Sequence, residues 1–311
     1  MNMELHLLLP IFTLLFCLFR ESNGSLSLEF YWKSMLPNTP LPIALQELLK
    51  PENISDFYKT RKHLDDFEEN PQQRIDYKIA YPGIKTTFDS NVITNNTTTT
   101  IFFLHNNLLP ENKFYLNFRK ANNSSNFLPR KIAQNIPFST EKYPEIFEYF
   151  SIESTSKEAQ MIKHAIEQCE APKMKGEEKY CATSLESLVD FVVSKYGKNV
   201  LALANDVEEE YKNQNYTISH GIRKMSDYQI VCHKQIYLYA VFYCHVTTGT
   251  QAYMVPMVGD DGSKAKAVVI CHSDTSSWNP QHLAFQVLKV KPGGSSICHF
   301  LSSDTIVLIP N

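Results

Sequence analysis

Four times the chain places a histidine directly after a cysteine: Cys232-His233, Cys244-His245, Cys271-His272 and Cys298-His299. With 7 cysteines and 10 histidines in 311 residues, random order gives about 0.2 such dipeptides. The gaps from each histidine to the next pair are 10, 25 and 25 residues. Each pair lies in strand-like sequence, where neighbouring side chains point to opposite faces. The cysteine and histidine of one pair are therefore not expected to chelate one ion together. The simpler arrangement puts the cysteines on one side as disulfides and the histidines on the other. Oxidation removes the thiolates that zinc favours, and the spacings match no zinc-finger pattern. Up to four imidazoles remain, a donor set suited to copper and also to zinc or nickel. The alternative is that the rings only make hydrogen bonds beside structural disulfides.

Seven cysteines is an odd number for a disulfide framework, and the N-terminus accounts for it. Leu5–Phe19 is an apolar run broken by His6, Pro10 and Thr13, followed by Ser22 and Gly24 as small residues for a cleavage site. Residues 1–24 resemble a secretory signal peptide, with an uncleaved anchor as the alternative. Removing them takes Cys17 away and leaves six: Cys169, Cys181, Cys232, Cys244, Cys271 and Cys298. In an oxidising compartment these pair as up to three disulfides. Six cysteines allow 15 connectivities, and the sequence does not choose among them, although Cys169 and Cys181 are close enough to pair locally. Sequons at Asn53, Asn95, Asn96, Asn122, Asn123 and Asn215 are the candidate glycosylation sites of a secreted chain.

Composition is that of a globular protein, with 43% hydrophobic and 20% charged residues and a mean hydropathy of -0.27. A mainly disordered, collagenous or polytopic membrane chain is excluded. A net charge of -3 gives no reason to expect a nucleic-acid partner, and no membrane association is expected once the leader is gone.

Residues 25–100 read as an extended arm or linker without repeats. Pro37, Pro40 and Pro42 break any long helix, Ile43–Leu49 suits one short amphipathic helix, and the tract ends in Asn-Asn-Thr-Thr-Thr-Thr. From 101 the pattern is that of one folded domain to 311. Strands are expected at 101–104 and 113–118, and helices between 140 and 210. Thr183-Ser184-Leu185-Glu186 is the expected capping box of the last helix, and Gly197 its stop. Beyond Gln229 the sequence predicts strand after strand: 230–246, 252–258, 266–272, 285–290, 296–301 and 305–310. Helices followed by strands predict an α+β fold with a predominantly antiparallel, disulfide-stabilised C-terminal part.

The array of Cys-His pairs at these spacings resembles the defining signature of the plant BURP domain. Phe102-Phe103, the Cys169 and Cys181 pair, Ser184-Leu185-Glu186-Ser187 and the segment Cys271–Trp278 are similar as well. The likeness covers 101–311, and Tyr31-Trp32 with Leu36-Pro37-Asn38-Thr39-Pro40 is similar to a stretch that follows the leader in many members.

Membership implies one of two functions. Some members are seed, drought-response or cell-wall proteins without an established reaction. Others are copper-dependent peptide cyclases that join a Tyr or Trp side chain to a carbon or nitrogen elsewhere in a core peptide. In those, His233, His245, His272 and His299 are the implied copper ligands. Self-processing members carry an aromatic core peptide, yet residues 104–140 hold Tyr115 and no tryptophan. A separate peptide substrate or a cell-wall component is the expected partner. The expected destination is the apoplast or cell wall, with a protein-storage vacuole as the alternative.

Other candidates are weaker. His282 lies ten residues past His272 and is a possible fifth imidazole, with a plain hydrogen-bonding role equally open. His105 is weaker still. Asp274, two residues past His272, is placed to orient that ring. Tyr237, Tyr239 and Tyr243 alternate and are expected to pack. No GxSxG, P-loop or HExxH element is present.

Overall fold

A computed structural model of the chain describes residues 23–49, 102–118, 125–207 and 213–311. Residues 1–22 of the expected 1–24 leader, the polar tract 50–101 and the sequons at Asn53, Asn95, Asn96, Asn122 and Asn123 lie outside the described residues. The helices are α1 (Asn23–Met35), α2 (Ile43–Gln46), α3 (Arg130–Ala133), α4 (Tyr143–Phe150), α5 (Lys157–Glu170), α6 (Leu185–Tyr196) and α7 (Leu283–Leu288).

Two antiparallel sheets carry the domain. The smaller, in the order β3-β9-β8-β13-β4, is built from β3 (Glu177–Ala182), β4 (Val200–Leu203), β8 (Ile230–Lys234), β9 (Phe242–Thr247) and β13 (Thr305–Pro310). The larger follows the path β1-β12-β11-β10-β6-β2, with β5 on β11 and β7 on β10. Its strands are β1 (Phe102–Leu104), β2 (Lys113–Leu116), β5 (Asp206–Val207), β6 (Gln214–Ile218), β7 (Arg223–Ser226), β10 (Thr250–Gly259), β11 (Lys264–His272) and β12 (Ile297–Phe300). The fold is α+β with predominantly antiparallel sheets, as the order of patterns in the sequence predicts.

Side-chain alternation sorts the apolar residues into layers. Val231 and Val307 of the small sheet meet Val268 and Ile270 of the large one in a shared cluster between the sheets. The opposite face of the small sheet, with Ile230 and Cys232, is covered by α6 through Leu185, Leu188, Val189 and Val192. The opposite face of the large sheet packs Val269 and Cys271 against Phe103, Phe114 and Tyr216.

The structure differs from the sequence reading in four places. Residues 28–49 are not a free arm: Leu28, Trp32, Leu36, Leu45 and Leu48 are all buried against α6 and the small sheet. Trp32 is fully buried and its Nε1 donates to the Thr39 carbonyl at 2.8 Å, while Tyr31, Arg130 and Asp190 join α1 to α3 and α6. Prolines 37, 40 and 42 break the helix, as expected, but the break folds the chain back onto the core.

Second, residues 285–290 do not continue the strands. Leu283–Leu288 is α7, ended by Lys289 in the left-handed conformation. A short apolar run fits strand and helix alike, and here Leu283, Ala284 and Phe285 fill one cluster with Phe102 and Trp278. Third, the capping box lies one residue further on. Ser184 accepts from the Ser187 N–H and Ser187 returns the bond, whereas Glu186 accepts from the Arg130 N–H. Fourth, the run 230–246 is two strands, broken at 235–241 so that Tyr237 and Tyr239 enter the helical cluster of α4 and α5.

Candidate functional site

Each Cys-His pair divides across its strand. Cys232 stands directly opposite Cys244 in the register of β8 and β9 and is joined to it. Cys271 and Cys298 do the same across β11 and β12. The third disulfide, Cys169–Cys181, ties α5 to β3. The cysteines occupy the outer faces, so the histidines one residue later point between the sheets. His233 shares a face with Val231, and His272 shares one with Ile270.

The chain passes between the sheets beside these histidines. Thr248 and Gly249 carry it from β9 to β10, and residues 301–304 carry it from β12 to β13. Gly249 has φ +72°, and a Cβ there would meet Ser273 Oγ at 3.2 Å. Its carbonyl accepts from the Ser273 N–H at 2.8 Å, which brings the end of β11, with His272, beside the end of β9, with His245.

All four histidines line one cavity, together with Trp278, Gln229, Thr250 and Met174. They arrive as two pairs. His233 and His245 from the small sheet have ring centroids 5.4 Å apart. His272 and His299 from the large sheet stack at 5.5 Å, with their Nε2 atoms 3.4 Å apart. Trp278 stands edge-on to His272 at 4.8 Å. Among the described residues, no three His, Cys, Asp or Glu side chains are already arranged to hold a metal ion.

Burial favours uncharged rings. It pushes His233 and His272 well below the usual imidazole range, with the neighbouring histidines adding to the effect. The same cause, opposed by the Phe300 carbonyl, lowers His299 to about 4. Neutral imidazole is the ligating form.

The sequence reading missed the groups that hold the rings from behind. Glu177 of β3 is buried and faces His245, Oε1 to Nδ1, at 3.3 Å. The same carboxylate accepts from Tyr243 Oη at 2.8 Å and from the Met174 N–H at 2.9 Å. Burial acts to raise Glu177, but the bonds from His245, Met174 and Tyr243 outweigh it and hold the carboxyl at about 2. On the other side His233 Nδ1 lies 3.3 Å from Thr305 Oγ1, its direct cross-strand neighbour. Glu177 is remote in sequence from every Cys-His pair, so only the pairing of β3 with β9 reveals it.

Other candidates resolve differently. His282 does not line the cavity. Its Nδ1 caps α7 by accepting the Ala284 N–H at 3.2 Å, and its buried Nε2, set among aromatic rings, has no hydrogen-bond partner among the described residues. Asp274 accepts from the Ser276 N–H rather than orienting His272. His105 pairs with Tyr253 Oη at 3.0 Å. Asn215 is exposed on β6 and its Nδ2 donates to Asp260 at 3.0 Å, a bond a glycan on that nitrogen would replace.

Two antiparallel sheets, cross-strand disulfides on their outer faces and four imidazoles between them define the class. The BURP domain family model matches residues 101–310, and the chain belongs to that plant family. It is 54% identical over 185 residues to BURP domain protein RD22 of Arabidopsis thaliana, covering 58% of this chain and 47% of that protein. It is 38% identical over 294 residues to BURP domain-containing protein 5 of Oryza sativa subsp. japonica, covering 92% and 88%. Protein RAFTIN 1A of Triticum aestivum is 35% identical over 190 residues, covering 60% and 49%. The chain thus spans about half the length of two of these relatives and most of the third.

Proposed function

We propose that this is a secreted BURP protein of seed, stress response or cell wall whose four Cys-His histidines bind copper. The observation that carries the reading is the convergence of His233, His245, His272 and His299, two from each sheet, on one cavity. The donor set fits. The Nε2 atoms of His272 and His299, 3.4 Å apart, are close enough for one ion to be held by both at metal–nitrogen distances of roughly 2.0–2.1 Å. A set of imidazole nitrogens with no carboxylate among the lining residues suits copper better than calcium or magnesium. The leader, six mature cysteines and sequons support the secretory route, with the apoplast, wall or storage vacuole as destination.

Purified mature protein is expected to retain copper close to one ion per chain by metal analysis. His272→Ala is expected to lose it while the metal-free melting curve stays cooperative. Wild-type protein that folds and takes up no copper overturns the reading.

A second reading, oxidative cyclisation of a separate peptide, is favoured by Trp278, an aromatic wall beside the imidazoles. Copper when bound supplies a one-electron couple able to pass electrons to oxygen. The protein's part is to hold the rings and offer an apolar face to an incoming aromatic side chain. Tyr115 is held in β2 opposite Asn215 and does not line the cavity, which favours a substrate from another chain. Loss of about 2 Da from a Tyr- or Trp-containing peptide, the mass of the two hydrogens removed in an oxidative crosslink, would support this reading. No loss across a broad peptide set would remove it.

A further inference from the structure

Three of the four cavity histidines have their Nδ1 committed on the side away from the cluster. His299 Nδ1 faces the Phe300 carbonyl at 3.3 Å. A carbonyl only accepts, so the proton sits on Nδ1. His245 Nδ1 faces the Glu177 carboxylate, and an ionised carboxylate also only accepts.

For His233 the direction follows from a chain of hydroxyls. Ser302 Oγ donates to Asp304 Oδ1 at 2.6 Å. Having spent its single proton there, Ser302 can only accept from Thr305 Oγ1, 2.7 Å away. Thr305 has then spent its own proton and accepts from His233 Nδ1–H. A carboxylate ends this chain as well. The two rings backed by a carboxylate belong to the small sheet, while the Nε2 atoms of His272 and His299 already face one another.

We propose that Glu177 and Asp304 are positioning residues for the imidazole cluster. Glu177 directly, and Asp304 through Ser302 and Thr305, hold His245 and His233 as Nδ1–H tautomers and leave each Nε2 to ligate. Glu177 is itself held by Tyr243 Oη and the Met174 N–H, so its orientation does not depend on the histidine it serves. Carboxylates behind ligating histidines fix ring orientation and increase ligand basicity. The metal-binding part of this inference rests on the copper reading above; the tautomers do not.

The test uses the full mature protein, first without metal. Imidazole nitrogen-15 chemical shifts should report Nδ1–H tautomers for His233, His245 and His299. Glu177→Ala should disturb only His245 among these, and Thr305→Val only His233. Nε2–H tautomers at His233 and His245 in the wild type would overturn the proposal. Copper(II) is then added in competition with a chelator. Glu177→Ala and Thr305→Val should each weaken binding on the order of 10–100-fold, and Thr305→Ser, which keeps the hydroxyl, should restore it. Wild-type copper affinity in both variants would overturn the positioning role while leaving the copper site standing. Absence of copper from the wild type would overturn the copper reading and with it the positioning role toward a metal. Cooperative melting of each metal-free variant separates lost positioning from lost fold.

Discussion

A half-buried histidine that the candidate site does not use has its own consequence. His164 lies on α5, one turn before Gln168, whose Nε2 is 3.4 Å from its Nε2. Burial lowers its imidazole from 6.5 to about 4. The neutral ring is the form the fold accepts, so the unfolded chain binds more protons than the folded one between these values. Its contribution to stability is therefore fully present above pH 6.5 and is lost as pH falls toward about 4. Denaturant midpoints measured across that window should drop toward acid. His164→Gln, which removes the titration, should flatten that slope; an unchanged slope would show that His164 titrates alike in the folded and unfolded states. Several buried histidines share this direction, so the variant removes one component of a larger acid sensitivity.

At the scale of elements, the N-terminal helix is where packing and apparent disorder part company. Trp32 is fully buried in the cluster that includes Leu185, Leu188 and Val192 of α6, and its Nε1 is satisfied by Thr39. Trp32→Ala removes a large buried ring and strands the Thr39 carbonyl. It should cost about 3–5 kcal/mol, read as a shift in the chemical denaturation midpoint. A loss below about 0.5 kcal/mol, as for a surface substitution, would mean that α1 is a detachable arm. The sequence hid this because α1 and the residue after it bring only a few buried anchors, Leu28, Trp32 and Leu36, into a proline-broken stretch.

The same contrast explains what was legible elsewhere. The strand character around β8, β9, β11 and β12 could be read because a Cys-His step marks the change of face at each of them, although the break at 235–241 that separates β8 from β9 could not; the disulfides follow once those strands pair. Helix α7 could not be read, since Phe285 and Val287 alternate as a strand would. Phe285 is buried and Val287 exposed, a difference that only the cluster with Trp278 and Phe102 creates. Glu177 and the Thr305–Ser302–Asp304 chain were illegible for another reason. They reach the histidines through the pairings of β3 with β9 and of β13 with β8, and register between distant strands is not written in local sequence.

For the molecule as a whole, the disulfides divide their work by sheet. Cys232–Cys244 braces the small sheet within the cluster under α6, and Cys271–Cys298 braces the large sheet within its own aromatic cluster. Neither crosses between sheets; the union of the two rests on the apolar layer of Val231, Val268, Ile270 and Val307 and on the passages at 248–249 and 301–304. Their separations of 12 and 27 residues set the chain entropy each removes from the unfolded state, worth about 3 and about 3.5 kcal/mol respectively. Paired alanine replacement of Cys232 with Cys244, and of Cys271 with Cys298, should lower the unfolding free energy by roughly those amounts in that order. Because the bridges share no packing partners, the two losses should add to within about 0.5 kcal/mol in the quadruple variant. A coupling well above that would mean that the sheets report on each other through the cavity between them. The histidines would then be the physical link, since they are the residues adjacent to both bridges that face the same space.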